Sequence, residues 1–339
     1  MNALLLAAML AAAWVPQSSG STAELRGLSV LDAKHAWASG AGGAVLRTTD
    51  GEHWEKLTVP GGEALDFRDV EALDAKTVVL MSAGPGDASR IYRSTDGGST
   101  WKLVHTNPDK DGFYDAIAFW DAQNGIVMGD PVSQFFAVRV THDGGQTWAA
   151  PEGLVLPQAL EGEGAFAASG TCLAVLNGTD YAWFVTGGAK VSRVFRTHNR
   201  GQSWNSSITP IVAGNPSSGL FAVAFLDAKR GFSAGGDYKQ PQYAGLNGVR
   251  TEDGGRTWVA APISATGFMS AVVAIPGTTN YLVAAGLAGE AISHDGGRTW
   301  SPIGDHPVNA VAFADSQTGL SGLFSHFPNE TIVIVVKDR

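Results

Sequence analysis

The chain predicts an all-β fold, a seven-bladed β-propeller of four-stranded antiparallel blades, and three observations carry that prediction. A short phrase recurs six times: a hydroxyl residue, an Asp with glycines, then in most copies a second hydroxyl residue and a Trp, as in Ser94-Thr95-Asp96-Gly97-Gly98-Ser99-Thr100-Trp101. The closing tryptophans, Trp54, Trp101, Trp148, Trp204, Trp258 and Trp300, are 47, 47, 56, 54 and 42 residues apart, the length of one supersecondary unit in a repeat array. Between them run short apolar stretches bounded by Gly, Asp and Asn, with almost no helical periodicity, which is the pattern of strands and turns.

Each module reads as an apolar run, a polar turn, a second run ending in glycine, a loop, a third run, then the Asp phrase and its Trp. Near the start this is 28–31, Asp32-Ala33-Lys34-His35, 36–39, a glycine-rich loop, 44–47, then Asp50 and Trp54. The modules fall at 24–60, 67–107, 113–151, 163–210, 218–262, 268–303 and 306–337. The last lacks the phrase and is one strand short, so the segment around 23–25 is expected to supply the missing strand and close the ring. Closure protects strand edges that separate sheets would expose.

Composition narrows the function classes. With 23 Lys plus Arg against 32 Asp plus Glu, the net charge is −9, the wrong sign for binding a phosphate backbone, so nucleic acid is not an expected partner. Residues 4–15 are apolar and Ser18-Ser19-Gly20-Ser21 follows, as in a secretory signal peptide, giving a leader over 1–20 and a propeller over 21–339 that carries no membrane span and is secreted or periplasmic. No Lys or Arg precedes that stretch. Cys172 is the single cysteine, so no intrachain disulfide forms, and its apolar neighbours make it core filler.

The phrase resembles the Asp-box, or BNR repeat, of sialidase-like propellers. The string Glu163-Gly164-Ala165-Phe166-Ala167-Ala168-Ser169-Gly170-Thr171, with Gly235-Gly236-Asp237-Tyr238 and Gly129-Asp130-Pro131, is similar more narrowly to secreted bacterial propellers related to photosystem II assembly and stability factors. The resemblance implies the fold over nearly the whole chain and an assembly-factor-like role. It does not extend to the sialidase chemistry, because no Arg-Ile-Pro motif is present and no nucleophilic Tyr with its Glu partner can be matched. An oxidoreductase is excluded on other grounds: the chain has no Gly-x-Gly-x-x-Gly, no cysteine pair and no haem-attachment motif, and no cofactor is expected.

The boxes read as structural. Asp50, Asp96, Asp143, Asn199, Asp253 and Asp295 are expected to accept backbone N–H bonds within the turn between third and fourth strands, with glycines at positive φ and Trp packed on the module. Glycines stand where calcium would need further oxygen ligands, so no metal is expected. Arg47, Arg93, Arg196 and Arg250 lie three residues before the box Asp or Asn and are read as packing their stems while bonding a local carboxylate or carbonyl. His142, His198 and His294 belong to different boxes, too far apart to share an ion, and are read as exposed turn residues.

In a meander the turns after first and third strands share one face, so the boxes sit beside short turns while longer loops gather on the other face, where function is expected. The ligand-binding candidates there are Arg68, Arg90, Tyr114, Asp130, Glu163, Asp237, Tyr238 and Tyr243. Asp130, Glu163 and Asp237 are also the carboxylates a glycoside hydrolase would use, should they line one cleft at the separation such chemistry needs. The expected function is a monomeric, non-catalytic binding propeller whose partner is a protein, glycan or surface polymer, with a glycoside hydrolase on the same face as the alternative.

Overall fold

The computed structural model describes residues 14–243, 245–263, 267–323 and 332–336, so residues 1–13 of the expected leader and 324–331 of the last expected module lie outside the described residues. The chain is an all-β propeller of antiparallel sheets. Their innermost strands are Leu25–Val30, Asp66–Ala72, Tyr114–Phe119, Leu173–Val175, Ser218–Phe225, Ala271–Ala274 and Val308–Phe313. Each touches the next, and Val308–Phe313 returns to Leu25–Val30, so the array closes on itself.

Position in the module dictates composition. An inner strand is sandwiched between neighbouring sheets, so both faces must be apolar, and Ser218–Phe225 is buried at every residue. An outer strand such as Lys102–Thr106 is exposed or half-buried throughout and is correspondingly polar. Between sheets, aromatic rings fill the gaps: Phe136 lies 5.2 Å from Phe184, which stacks on Phe195 at 4.3 Å and meets Trp204 edge-on at 4.9 Å. Each fully buried ring of this kind contributes about 1.5–3 kcal/mol.

The expectation of seven four-stranded blades is corrected: among the described residues six blades have four strands, and Tyr114–Phe119, Gly125–Val132 and Phe135–Thr141 form a sheet of only three. Here the chain after the box keeps only the bridge between Val140 and Ala149 and then meets Pro151, which has no N–H to continue a ladder. It veers to the next module, where Val155 pairs in parallel with Ser203. Residues 163–170, expected to open the fourth module, are instead a loop ahead of its first strand at Leu173.

Closure also differs from expectation. Leu25 begins the innermost strand of the first sheet, and the strand completing the last sheet is Trp14–Ser18, paired with Ile332–Val336. Gln17 fastens it to the first module: its Nε2 donates to Gly51 O at 2.8 Å, and its Oε1 accepts Trp54 Nε1 at 2.9 Å. The boundary expected at residue 20 therefore falls beyond a strand that belongs to the sheet.

Candidate functional site: the mouth of the central channel

The box turns mark one face of the ring and leave the opposite face for the site. Asp253 accepts Thr251 Oγ1 at 2.9 Å, the N–H groups of Arg256 and Thr257 at 2.9 Å each and Thr257 Oγ1 at 2.7 Å. In the fourth module Asn199 Oδ1 accepts Ser203 N–H at 2.9 Å, while its Nδ2 donates to Ser203 Oγ, so the amide reproduces the loop with one bond reversed. In the shorter first copy Asp50 accepts Glu52 and His53 N–H at 2.8 Å, and the His53 ring meets its other oxygen at 2.8 Å.

Arginines three residues before the boxes stitch modules together. Arg47 donates to Gly97 O at 2.8 Å, Arg93 to Gly144 O at 2.7 Å and Arg196 to Gly255 O at 3.2 Å, each in the box of the following module. Arg250 pairs with Glu252 at 2.6 Å. His142 and His198 are exposed, but His294 is half-buried with its ring edge against Tyr281 at 4.6 Å, which corrects its reading as an exposed turn residue.

At the opposite face the starts of the inner strands ring the channel, and the loop 163–171 crosses it. Arg68 Nη1 donates to Ala167 O at 2.6 Å, Arg26 Nη1 to Ala168 O at 3.3 Å, Ala165 N–H to Asp130 Oδ1 at 2.9 Å and Ser169 Oγ to Ser270 O at 2.8 Å. The loop is thereby tied to strands on several sides of the ring. Gly170 must be glycine: its φ is +76° and a Cβ would lie 2.6 Å from Asp69 Oδ1.

This crossing leaves a pocket of about 620 Å³ walled by Phe113, Phe166, Phe221, Phe268 and Tyr238. Phe166 stacks on Phe221 with centroids 3.9 Å apart, and Phe268 and Tyr238 meet Phe221 edge-on at 4.6 and 6.1 Å. Arg26 and Arg68 also line it, held to Glu24 at 2.8 Å and Asp66 at 2.6 Å. Two carboxyls, Asp115 and Asp130, share the pocket. Asp115 is 1% exposed, and among the described residues neither its Oδ2 nor Asn309 Nδ2 has a hydrogen-bond partner. Burial, and then the neighbouring Asp130 charge, hold the Asp115 carboxyl well above the ordinary range, against the pull of Arg68 and backbone N–H groups. Burial likewise raises Asp130.

Of the residues singled out from sequence, the pocket gathers Arg68, Asp130 and Tyr238. Glu163 is engaged elsewhere: its side chain is fully buried and accepts Arg193 Nε at 2.8 Å and Thr186 Oγ1 at 2.6 Å, with Arg193 Nη2 on its second oxygen. Asp237 caps a turn by accepting Lys239 N–H at 3.0 Å and Asn215 Nδ2 at 3.2 Å. Asp130, Glu163 and Asp237 therefore do not line one cleft. Tyr114 is buried, bonds His105 at 2.9 Å and has its phenol pushed up to about 12 by burial. Arg90 folds onto Asp87 O and Gly61 O at 2.6 and 3.2 Å, and Tyr243, exposed, stands apart from the pocket.

Phe166 lies in the 163–171 string, whereas Arg26, Phe113, Phe221 and Phe268 were not marked by any motif, since each looks like an ordinary strand or loop residue. A larger groove of about 710 Å³ lies between the boxes of the third and fourth modules, beside Asp143, Asn199 and Arg200. There Arg200 pairs with Asp180 at 2.6 Å, whereas the channel mouth holds buried side-chain atoms with no partner among the described residues.

Comparison with known proteins fits this architecture. The family model of the BNR/Asp-box repeat matches residues 291–302. The photosystem II stability/assembly factor HCF136, chloroplastic, of Arabidopsis thaliana is 24% identical, over 62% of this chain and 62% of its own length. The fold superposes on YCF48 bound to D1 peptide with a TM-score of 0.65 at 16% identity, covering 96% of each chain, and on YCF48 from Cyanidioschyzon merolae with 0.66 at 17%, covering 95% and 98%. It also superposes on the GH74 xyloglucanase from Xanthomonas campestris with 0.60 at 16%, covering 94% of this chain but 55% of that one. Resemblance to Asp-box propellers of the assembly-factor kind is thus seen in sequence and in fold.

Proposed function

We propose that this chain is a non-catalytic binding propeller that holds a segment of a protein partner against its loop-rich face, in an assembly-factor-like role, as a monomer in the periplasm or outside the cell. In this reading the three-stranded sheet occupies the seventh blade position. The observation that carries it is the aromatic-walled, arginine-rimmed pocket at the channel mouth, the size of a few side chains and built from several modules. A homologous assembly factor and a similar fold bound to a peptide support the choice of a protein partner over a glycan or surface polymer.

The glycoside hydrolase alternative keeps one supporting observation, the pairing of Asp115 with Asp130 in a single pocket. The two readings separate cleanly. Purified protein is cross-linked to envelope proteins and, in parallel, incubated with a panel of glycans. The proposal expects cross-links at Tyr238 and neighbouring loops and no hydrolysis. Glycan cleavage that disappears in Asp130→Asn while the fold is retained would replace it with the enzyme.

A further inference from the structure

Resting on the protein-partner reading, the inference here concerns which side chain enters the pocket. We propose that the channel mouth is a receptor for a primary alkylammonium, the side chain of a lysine on the bound segment, with its stem along the aromatic walls and its ammonium at Asp115 and Asp130.

Charge pairing leads there first. The two guanidiniums at the rim already hold partners, Arg26 with Glu24 and Arg68 with Asp66, while neither Asp115 nor Asp130 takes part in an ion pair among the described residues. The pocket therefore presents two carboxyls outside any ion pair among the described residues, and the chain as a whole carries −9, which draws cations toward it. Hydrogen bonding points the same way. Among the described residues Asp115 Oδ2 has no hydrogen-bond partner although the residue is 1% exposed, and buried polar groups in native proteins are normally satisfied. An ammonium supplies three donors on a flexible stem.

In the walls Phe166 and Phe221 stack in parallel while Phe268 and Tyr238 stand edge-on to Phe221, and a cation beside an aromatic face is stabilised by its quadrupole. Four-carbon stems bury readily along such surfaces. A neutral aliphatic side chain would fill the apolar walls and leave the carboxyls as they are, and an anionic one would meet Asp130 and Asp115.

Burial and then Asp130 push the Asp115 carboxyl upward, and Arg68, Arg26 beside it, and the buried Asp69 and Cys172 complete the ionisable surroundings. An arriving ammonium favours the carboxylate and so opposes that shift.

The test is calorimetric titration of the full chain with Nα-acetyl-lysine methylamide, alongside its norleucine and Nε-acetyl-lysine counterparts. The lysine probe should bind at least about tenfold more tightly than either neutral probe, the effect of one hydrogen bond to a charged group. Asp115→Asn should abolish the preference. Tyr238→Ala removes an exposed wall without touching the core, and should weaken the lysine probe if Asp115→Asn does not fold. Equal binding of lysine and norleucine probes, or no lysine binding, overturns the inference. If a cross-linked partner persists in that case, the protein-partner reading survives; if none is found either, both fall.

Discussion

At a box turn one carboxylate organises four donors, which makes these residues the smallest unit whose loss can be read in stability. Asp253→Ala strands two backbone N–H groups and two hydroxyls at the surface, and should lower stability by about 1–2 kcal/mol, measured by urea unfolding. Asp253→Asn should lose less, since Asn199 shows the amide serving in the same frame. Donor bonds hold Asp143, Asp253 and Asp295 below the ordinary Asp value although burial opposes them. A lowered folded value means stability complete above the unfolded value and lost as pH falls through the folded one, so acid unfolding should begin below about pH 4. Glu163 is a different case: it neutralises Arg193 in a buried site, and Glu163→Ala should destabilise by about 3–5 kcal/mol, seen as a lower unfolding midpoint with pocket residues unaltered.

Within elements, burial sets the opposite pH response. Glu290 sits in a fully buried strand, Gly289–Ser293, with one bond to Ser321 Oγ at 3.1 Å, and burial raises it to about 7. A raised carboxyl binds its proton more tightly when folded, so its contribution is full below the unfolded value and declines as pH rises toward 7. The melting temperature should therefore fall between about pH 4.5 and 7 by more in the parent than in Glu290→Gln, and equal slopes would refute the assignment. The box phrase, the glycines and the apolar runs made most strands legible, because each signal is local. The diversion after Pro151 was not, although the proline is plain, because whether the next residues pair with their own sheet or the neighbouring one depends on the space between modules. The channel loop 163–171 was singled out as a string but not as a crossing, since its bonds reach residues as distant as Ser270.

Across the whole molecule, the ring is joined by Trp14–Ser18 laid against Ile332–Val336. A protein beginning at Ser19 should unfold at a lower temperature and with less cooperativity than one beginning at Trp14, because the last sheet would expose an unpaired edge. Gln17→Ala should give a fraction of that loss through its bonds to Gly51 and Trp54. By itself the sequence determined the repeating unit, most of its strand content, the box turns and the face opposite them, all of which follow from contacts within about fifty residues and from strand alternation. Tertiary structure decided which strand closes the ring, which module stops at three strands, and that Asp115, Asp130, Tyr238 and the phenylalanines meet while Glu163 and Asp237 turn away. Those outcomes depend on residues far apart in the chain competing for the same donors and the same buried space, and no local pattern carries that information.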